Sequence, residues 1–166
     1  MIGSKMNRVR SQKILGDIAE AVVSDYFEMQ GNVVEMSTDP YDQEKDMFIN
    51  GVRAEVKFET LYHKFNSFSI PVYNTRNGRI AKNQLNKCLN VERLIVVQNP
   101  GKDKVVTLWE ATPLGKRDFN LHMNQHDGRL VALFPLETFT KIVDIRSDKL
   151  YNEITKYSFS NYKEYA

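Results

Sequence analysis

Asn50-Gly51 stands between two alternating stretches and constrains the architecture more than any other part of the chain. Both central positions of a two-residue type I′ turn need positive φ, which Asn and Gly tolerate best, so residues 46–59 are expected to form a β-hairpin. Successive side chains of a strand point to opposite faces. Met47, Ile49, Val52, Ala54, Val56 and Phe58 therefore share one face. Asp46, Phe48, Arg53, Glu55, Lys57 and Glu59 share the other, with Phe48 its single apolar member. A face that is wholly apolar belongs inside a sheet and not on a free arm.

With Asn50 and Gly51 as the turn, pairing runs Ile49 with Val52, Phe48 with Arg53, Met47 with Ala54 and Asp46 with Glu55. Directly opposed residues hold their Cβ atoms about 4.5–5.5 Å apart. Two carboxylates at that separation repel unless a cation lies between them. Lys57, two residues beyond Glu55, projects from the same face. Two hard oxygen ligands beside an ammonium suit Mg²⁺, which keeps several waters and accepts phosphate oxygens, and Mn²⁺ is expected to substitute. The chemistry indicated is metal-assisted phosphodiester hydrolysis, in which Lys57 orients the attacking water or stabilises the developing charge. The plain alternative is a solvated hairpin face with Glu55 and Lys57 as ordinary surface charges.

Charge distribution points the same way. The net charge of +2 conceals blocks: residues 1–16 carry Lys5, Arg8, Arg10 and Lys13 and no acid, whereas residues 17–59 carry eleven acids against Lys45, Arg53 and Lys57. Residues 60–91 again contain no acid and hold Lys64, Arg76, Arg79, Lys82 and Lys87. An acidic block between two basic ones suggests a cation site beside a surface that receives a polyanion. The five bases of residues 60–91 are the candidate nucleic-acid contacts, and their charge does not distinguish DNA from RNA. The aromatic-polar stretch 62–73 would either stack on bases or form a packed β-extension with its aromatics inward.

Elsewhere the periodicity predicts a helix over 11–30, with Ser11 as N-cap and Gly31 as stop, and a short strand over 33–36. A helix over 79–89, strands over 94–97, 105–109 and 130–134, a short helix over 136–142 and a last helix over 148–157 are also expected. This order implies an α/β sandwich with a mixed central sheet flanked by helices. At 166 residues and 42% hydrophobic content the chain fits a single domain and is too apolar for disorder. No run approaches the roughly 20 apolar residues of a membrane span. Residues 1–12 lack the apolar stretch of a secretory signal, and the one cysteine excludes an internal disulfide, so a reducing, cytoplasmic setting is expected.

Asp46, followed nine residues later by Glu55-Val56-Lys57, resembles the motif of the PD-(D/E)XK, or restriction-endonuclease-like, nuclease superfamily. Gly16-Asp17-Ile18-Ala19-Glu20 resembles the first-helix signature of its Holliday-junction-resolvase-like branch. Lys82-Asn83-Gln84-Leu85 falls where many members carry a Gln or Lys facing the site. The resemblance covers residues 11–110 approximately, and residues 112–166 form a C-terminal extension that matches no motif. It implies a restriction-endonuclease-like core with Asp46 and Glu55 as metal ligands and the Val56 carbonyl adding a third. Lys57 would be the catalytic lysine, with Glu20 and Gln84 as auxiliary groups. The sequence departs from the family where a Pro-Asp pair is usual: Lys45 precedes Asp46, Asp39-Pro40 lies upstream, and Asp42 and Glu44 stay open as rival ligands.

The resemblance implies a Mg²⁺-dependent endonuclease acting on DNA as a homodimer, structure-selective or resolvase-like. Its rival is a nuclease-fold protein without turnover that serves as a DNA-binding or assembly subunit. The remaining reactive side chains carry little signal. His63 sits in a stretch with no visible partner. His122 and His126 would share a helical face, but their segment reads as a loop. Cys88, beside Leu85 and Leu89, reads as a small buried residue.

Overall fold

The computed structural model describes residues 2–37, 47–59, 67–74, 79–80, 88–99, 103–111, 120–123 and 129–157, and the description below concerns these. The chain begins with α1 (Ile2–Met29) and continues through β1 (Val34–Met36), β2 (Met47–Ile49) and β3 (Val52–Glu59). Next come β4 (Ser67–Asn74), β5 (Arg79–Ile80), β6 (Arg93–Gln98), β7 (Val105–Ala111), β8 (Asn120–Met123), β9 (Arg129–Pro135) and β10 (Thr140–Arg146). The last element is α2 (Asp148–Tyr157).

α1 is longer than the expected 11–30, because Ser11 lies inside the helix and does not cap it. Its end is as expected. Gly31 has φ +88°, its N–H donates to the Glu28 carbonyl and the Asn32 N–H donates to that of Phe27, the paired bonds of a Schellman stop. Leu15, Ala19, Val23 and Phe27, four residues apart, are buried along one stripe.

The hairpin forms in the expected register, with Asn50 at φ 51° and Gly51 at φ 78°. Asn50 also ties the turn to the end of α1. Its Oδ1 accepts the Val33 N–H at 2.9 Å, its Nδ2 donates to Asn32 Oδ1 at 2.7 Å, and its own N–H donates to the Val33 carbonyl at 2.8 Å. Asn50→Ala would lose both side-chain bonds and put a Cβ-bearing residue with little taste for positive φ at the turn. Urea denaturation should show a loss of about 1–2 kcal/mol, most of which Asn50→Gly should recover through its backbone freedom.

A six-stranded sheet runs β1-β2-β3-β6-β7-β10; β3 and β6 are parallel and the other neighbours antiparallel. The protein is thus α/β with a mixed sheet. α1 and α2 cover one face, where Ala54, Ile95, Val97, Val106 and Leu108 join the helical stripe and Ile154 of α2 in one core. Ser147 caps α2 by accepting the Leu150 N–H. Arg93 braces the helix C-terminus: it pairs with Glu110 and lies over the Phe27 ring, 5.0 Å from its centroid.

The opposite face carries something the sequence reading did not anticipate, a second sheet in the order β5-β4-β9-β8. Phe68, Ile70, Ala132 and Phe134 of this sheet pack on Leu94, Val96 and Ala111 of the first, with Cys88, Leu136 and Phe139 completing the second core. β6 serves both cores because its residues alternate between them. Phe68 and Ile70 point inward, as the packed-extension reading of residues 62–73 required. Three expectations are corrected. Residues 79–80 are strand β5, paired with Tyr73 and Asn74, and not the start of a helix; 88–90 are helical, and 81–87 lie outside the described residues. The helix expected over 136–142 is a 3₁₀ turn, Leu136–Thr138, followed by β10, whose β-branched Thr140, Ile142, Val143 and Ile145 favour a strand. His122 lies in β8 and not in a loop, while His126 is outside the described residues. No helix among the described residues is long and apolar enough to cross a membrane.

Candidate active site on the charged face of β3

Strand alternation and sheet packing together place the charged side chains of β3. Ala54, Val56 and Phe58 belong to the core beneath α1, so Arg53, Glu55, Lys57 and Glu59 project from the face that meets the second sheet. Glu55 and Lys57 form an ion pair at 3.0 Å, with side chains 13% and 26% exposed respectively. Their register neighbours on β6 are the buried Leu94 and Val96. The solvated-face alternative therefore does not describe this surface: the pair is largely withdrawn from water.

Glu55 directly follows the last described hairpin pair, Met47 with Ala54. Asp46, expected opposite Glu55, lies outside the described residues, as do the rival ligands Asp42 and Glu44. Among the described residues no group of three or more His, Cys, Asp or Glu side chains gathers. Glu20 is half-buried on α1, next to the fully buried Ala19, in the layer across the sheet from the Glu55–Lys57 pair. Val56 contributes its side chain to the α1 core. Gln84, Lys64, Arg76, Lys82 and Lys87 fall outside the described residues, and Arg79 is placed by its backbone in β5.

Beyond Lys57 the same face carries a polar row missed by the sequence reading. Glu59, Gln98 and Thr107 are direct register partners across β3, β6 and β7, all buried, with Asp144 of β10 next in line. Each is engaged. Glu59 accepts the Ser69 N–H at 2.8 Å, Gln98 Oε1 accepts the Trp109 indole N–H at 2.8 Å, and Thr107 Oγ1 donates to Asp144 Oδ1 at 2.7 Å. A register shift between Lys141 and Val143 turns Lys141 onto the face of Asp144, and the two pair at 2.7 Å. The hydrogen bonds from Lys141, then from Thr107, hold the Asp144 carboxyl below the usual Asp range. Alternation on β3 places Glu59 on the charged face already in the sequence. Its partner on β4 had no local signal.

The chemical capacity of this face is that of a shielded carboxylate beside an ammonium. Glu55 is a hard oxygen donor of the kind Mg²⁺ takes, and the low local dielectric strengthens its interaction with any cation. Of the expected donor set the described residues hold one carboxylate, Glu55, whose partner here is the Lys57 ammonium. No protein-family model, no curated protein and no solved structure matches the chain.

Proposed function

We propose that the protein is a metal-dependent endonuclease of the restriction-endonuclease-like type, hydrolysing phosphodiester bonds in DNA. The observation that carries this reading is the Glu55–Lys57 pair: two opposite charges 3.0 Å apart on a central strand, mostly covered, with apolar neighbours. Removing two charges from water costs more than a surface pair returns, so such an arrangement is better explained by chemistry than by stability. The mixed sheet, and the helix that precedes the hairpin, support the same assignment.

On this reading Asp46, Glu55 and the Val56 carbonyl hold Mg²⁺, which when bound supplies Lewis acidity to the phosphodiester and its attacking water. Lys57 donates hydrogen bonds to the phosphate oxygens as charge builds on them. The water oxygen would give up a proton to bulk water as it bonds to phosphorus, the phosphorus bond to the leaving sugar oxygen would break, and that oxygen would take up a proton from bulk water. Gln84 is an auxiliary group, Lys64, Arg76, Arg79, Lys82 and Lys87 bind the backbone, and cutting of both strands would call for a homodimer; Glu20, carried by α1 across the sheet from the pair, takes no part in the chemistry.

The deciding experiment incubates the protein with supercoiled plasmid, linear single strand and a four-way junction, in Mg²⁺, Mn²⁺ or EDTA. Cutting in either metal and none in EDTA is the expected result, with the preferred DNA naming the subclass. Binding without cutting would favour the assembly-subunit reading. Absence of both on every substrate would remove the nuclease assignment.

A further inference from the structure

Glu59 is the last residue of β3, two beyond Lys57 on the same face, and only 2% exposed. Its carboxylate leaves the main sheet and reaches the other one. Oε2 accepts the Ser69 backbone N–H at 2.8 Å and the Ser69 hydroxyl at 3.3 Å. Among the described residues β5 pairs only with Tyr73 and Asn74 on one side of β4, while β9 pairs the other side from Ser67 to Asn74. A part-buried N–H on this strand needs an acceptor, and Glu59 supplies it from the strand that carries the candidate site. The backbone of Glu59 is fixed in turn, its carbonyl accepting the Asn99 N–H at 3.0 Å.

Among the described residues the two sheets also meet through Phe68, Ile70 and Phe134 against Leu94, Val96 and Ala111. Apolar contact is non-directional and tolerates sliding, whereas a charge-assisted hydrogen bond fixes one position. We propose that Glu59 is a positioning residue that pins the β4–β5 ribbon, and with it Arg79, at a set distance from the Glu55–Lys57 pair. The proposal rests on the nuclease reading and specifies how the DNA-contacting layer is aligned with the reacting groups. From Ser69 to Asn74 the ribbon runs about 17 Å, so a small shift at the Glu59 end is magnified at Arg79.

Three variants of the full chain test this: Glu59→Ala, Glu59→Gln and Ser69→Ala. Glu59→Ala loses the acceptor; Glu59→Gln keeps a neutral one; Ser69→Ala keeps the backbone donor and so retains the shorter bond. Steady-state cleavage should show KM for DNA raised roughly tenfold in Glu59→Ala with kcat within about twofold of wild type, the pattern of lost binding alignment with intact chemistry. Glu59→Gln should recover most of that loss, and Ser69→Ala should match wild type. Amide exchange at Ser69 should quicken by at least about tenfold in Glu59→Ala, reporting the freed N–H directly. A faster amide with unchanged KM would reduce Glu59 to a structural contact and overturn the proposal. So would a fall in kcat comparable to that of Lys57→Ala, which would make Glu59 part of the reacting centre. If Glu59→Ala does not fold, Glu59→Met, which fills a similar volume without a carboxylate acceptor, takes its place, and a wild-type KM in that variant counts against the clamp. A wild-type protein that neither cuts nor binds DNA overturns both readings; one that does, with KM unmoved by Glu59→Ala, overturns this one alone.

Discussion

Replacing Glu55 and Lys57 together by Gln and Met will leave the protein at least as stable as wild type while cutting metal-dependent cleavage by about 10³-fold. The two effects have one cause. At 13% and 26% exposure the charged groups have given up most of their hydration, and a 3.0 Å contact returns only part of that cost. Near-isosteric neutral side chains fill the same space without the penalty, so the double variant should equal wild type or exceed it by up to about 1 kcal/mol. Single changes behave differently, because Glu55→Gln leaves a partly buried ammonium without its carboxylate and Lys57→Met does the reverse. Each should cost about 1–3 kcal/mol. Activity should not follow that order: either single change alone should abolish most cleavage, since the two groups act as a unit. Urea denaturation and plasmid cleavage on the three variants separate the cases. A double variant as destabilised as the singles would make the pair a structural brace. One that still cut DNA would place the chemistry elsewhere.

This stability signature also shows what the sequence could and could not disclose. The hairpin was legible because its determinants are local: Asn50-Gly51 selects the turn, and strict alternation assigns each side chain of 47–59 to a face. That Glu55 and Lys57 would adjoin follows from the same two facts. That they would be shielded does not. The face they share meets a second sheet, built by β4 pairing with β9 across more than sixty residues, with Ser67 opposite Pro135. No short-range pattern encodes such a pairing. Residues 136–142 were misread for a related reason. Leu136, Phe139 and Ile142 recur every three residues, a spacing that suits a helix, but pairing with β7 decides in favour of β10. Ser11 resembles a helix cap, but nothing prevents the residues before it from continuing the helix, and they do. Glu59 was the most hidden of the site residues. It reads as one more charge on a charged face until Ser69 arrives from the other sheet.

Phe134→Ala is expected to produce the largest loss of stability, about 3–5 kcal/mol, and a fall in melting temperature of about 10 °C. Phe134 is fully buried between the sheets, opposite Phe68 in the β4–β9 ladder, and Phe68 in turn packs on Phe139 with ring centroids 6.2 Å apart. The vacated volume lies between two sheets held apart by other large side chains, so it cannot readily collapse. The form of the melt matters as much as its midpoint. β6 alternates Leu94 and Val96 towards the second sheet with Ile95 and Val97 towards α1, so damage to one core acts on the strand that lines the other. The second sheet should therefore not detach first: backbone circular dichroism and the fluorescence of Trp109, the sole tryptophan, should report one shared transition in Phe134→Ala. Ile154→Ala, in the core on the far side of the sheet, should shift that same transition by about 2–5 kcal/mol. If Trp109 instead melts ahead of the backbone signal in Phe134→Ala, the two sheets are separate cooperative units. The position of the second sheet against β6 and β7 would then rest on its own weaker contacts, and the Glu59–Ser69 bond would carry a correspondingly larger share of the alignment.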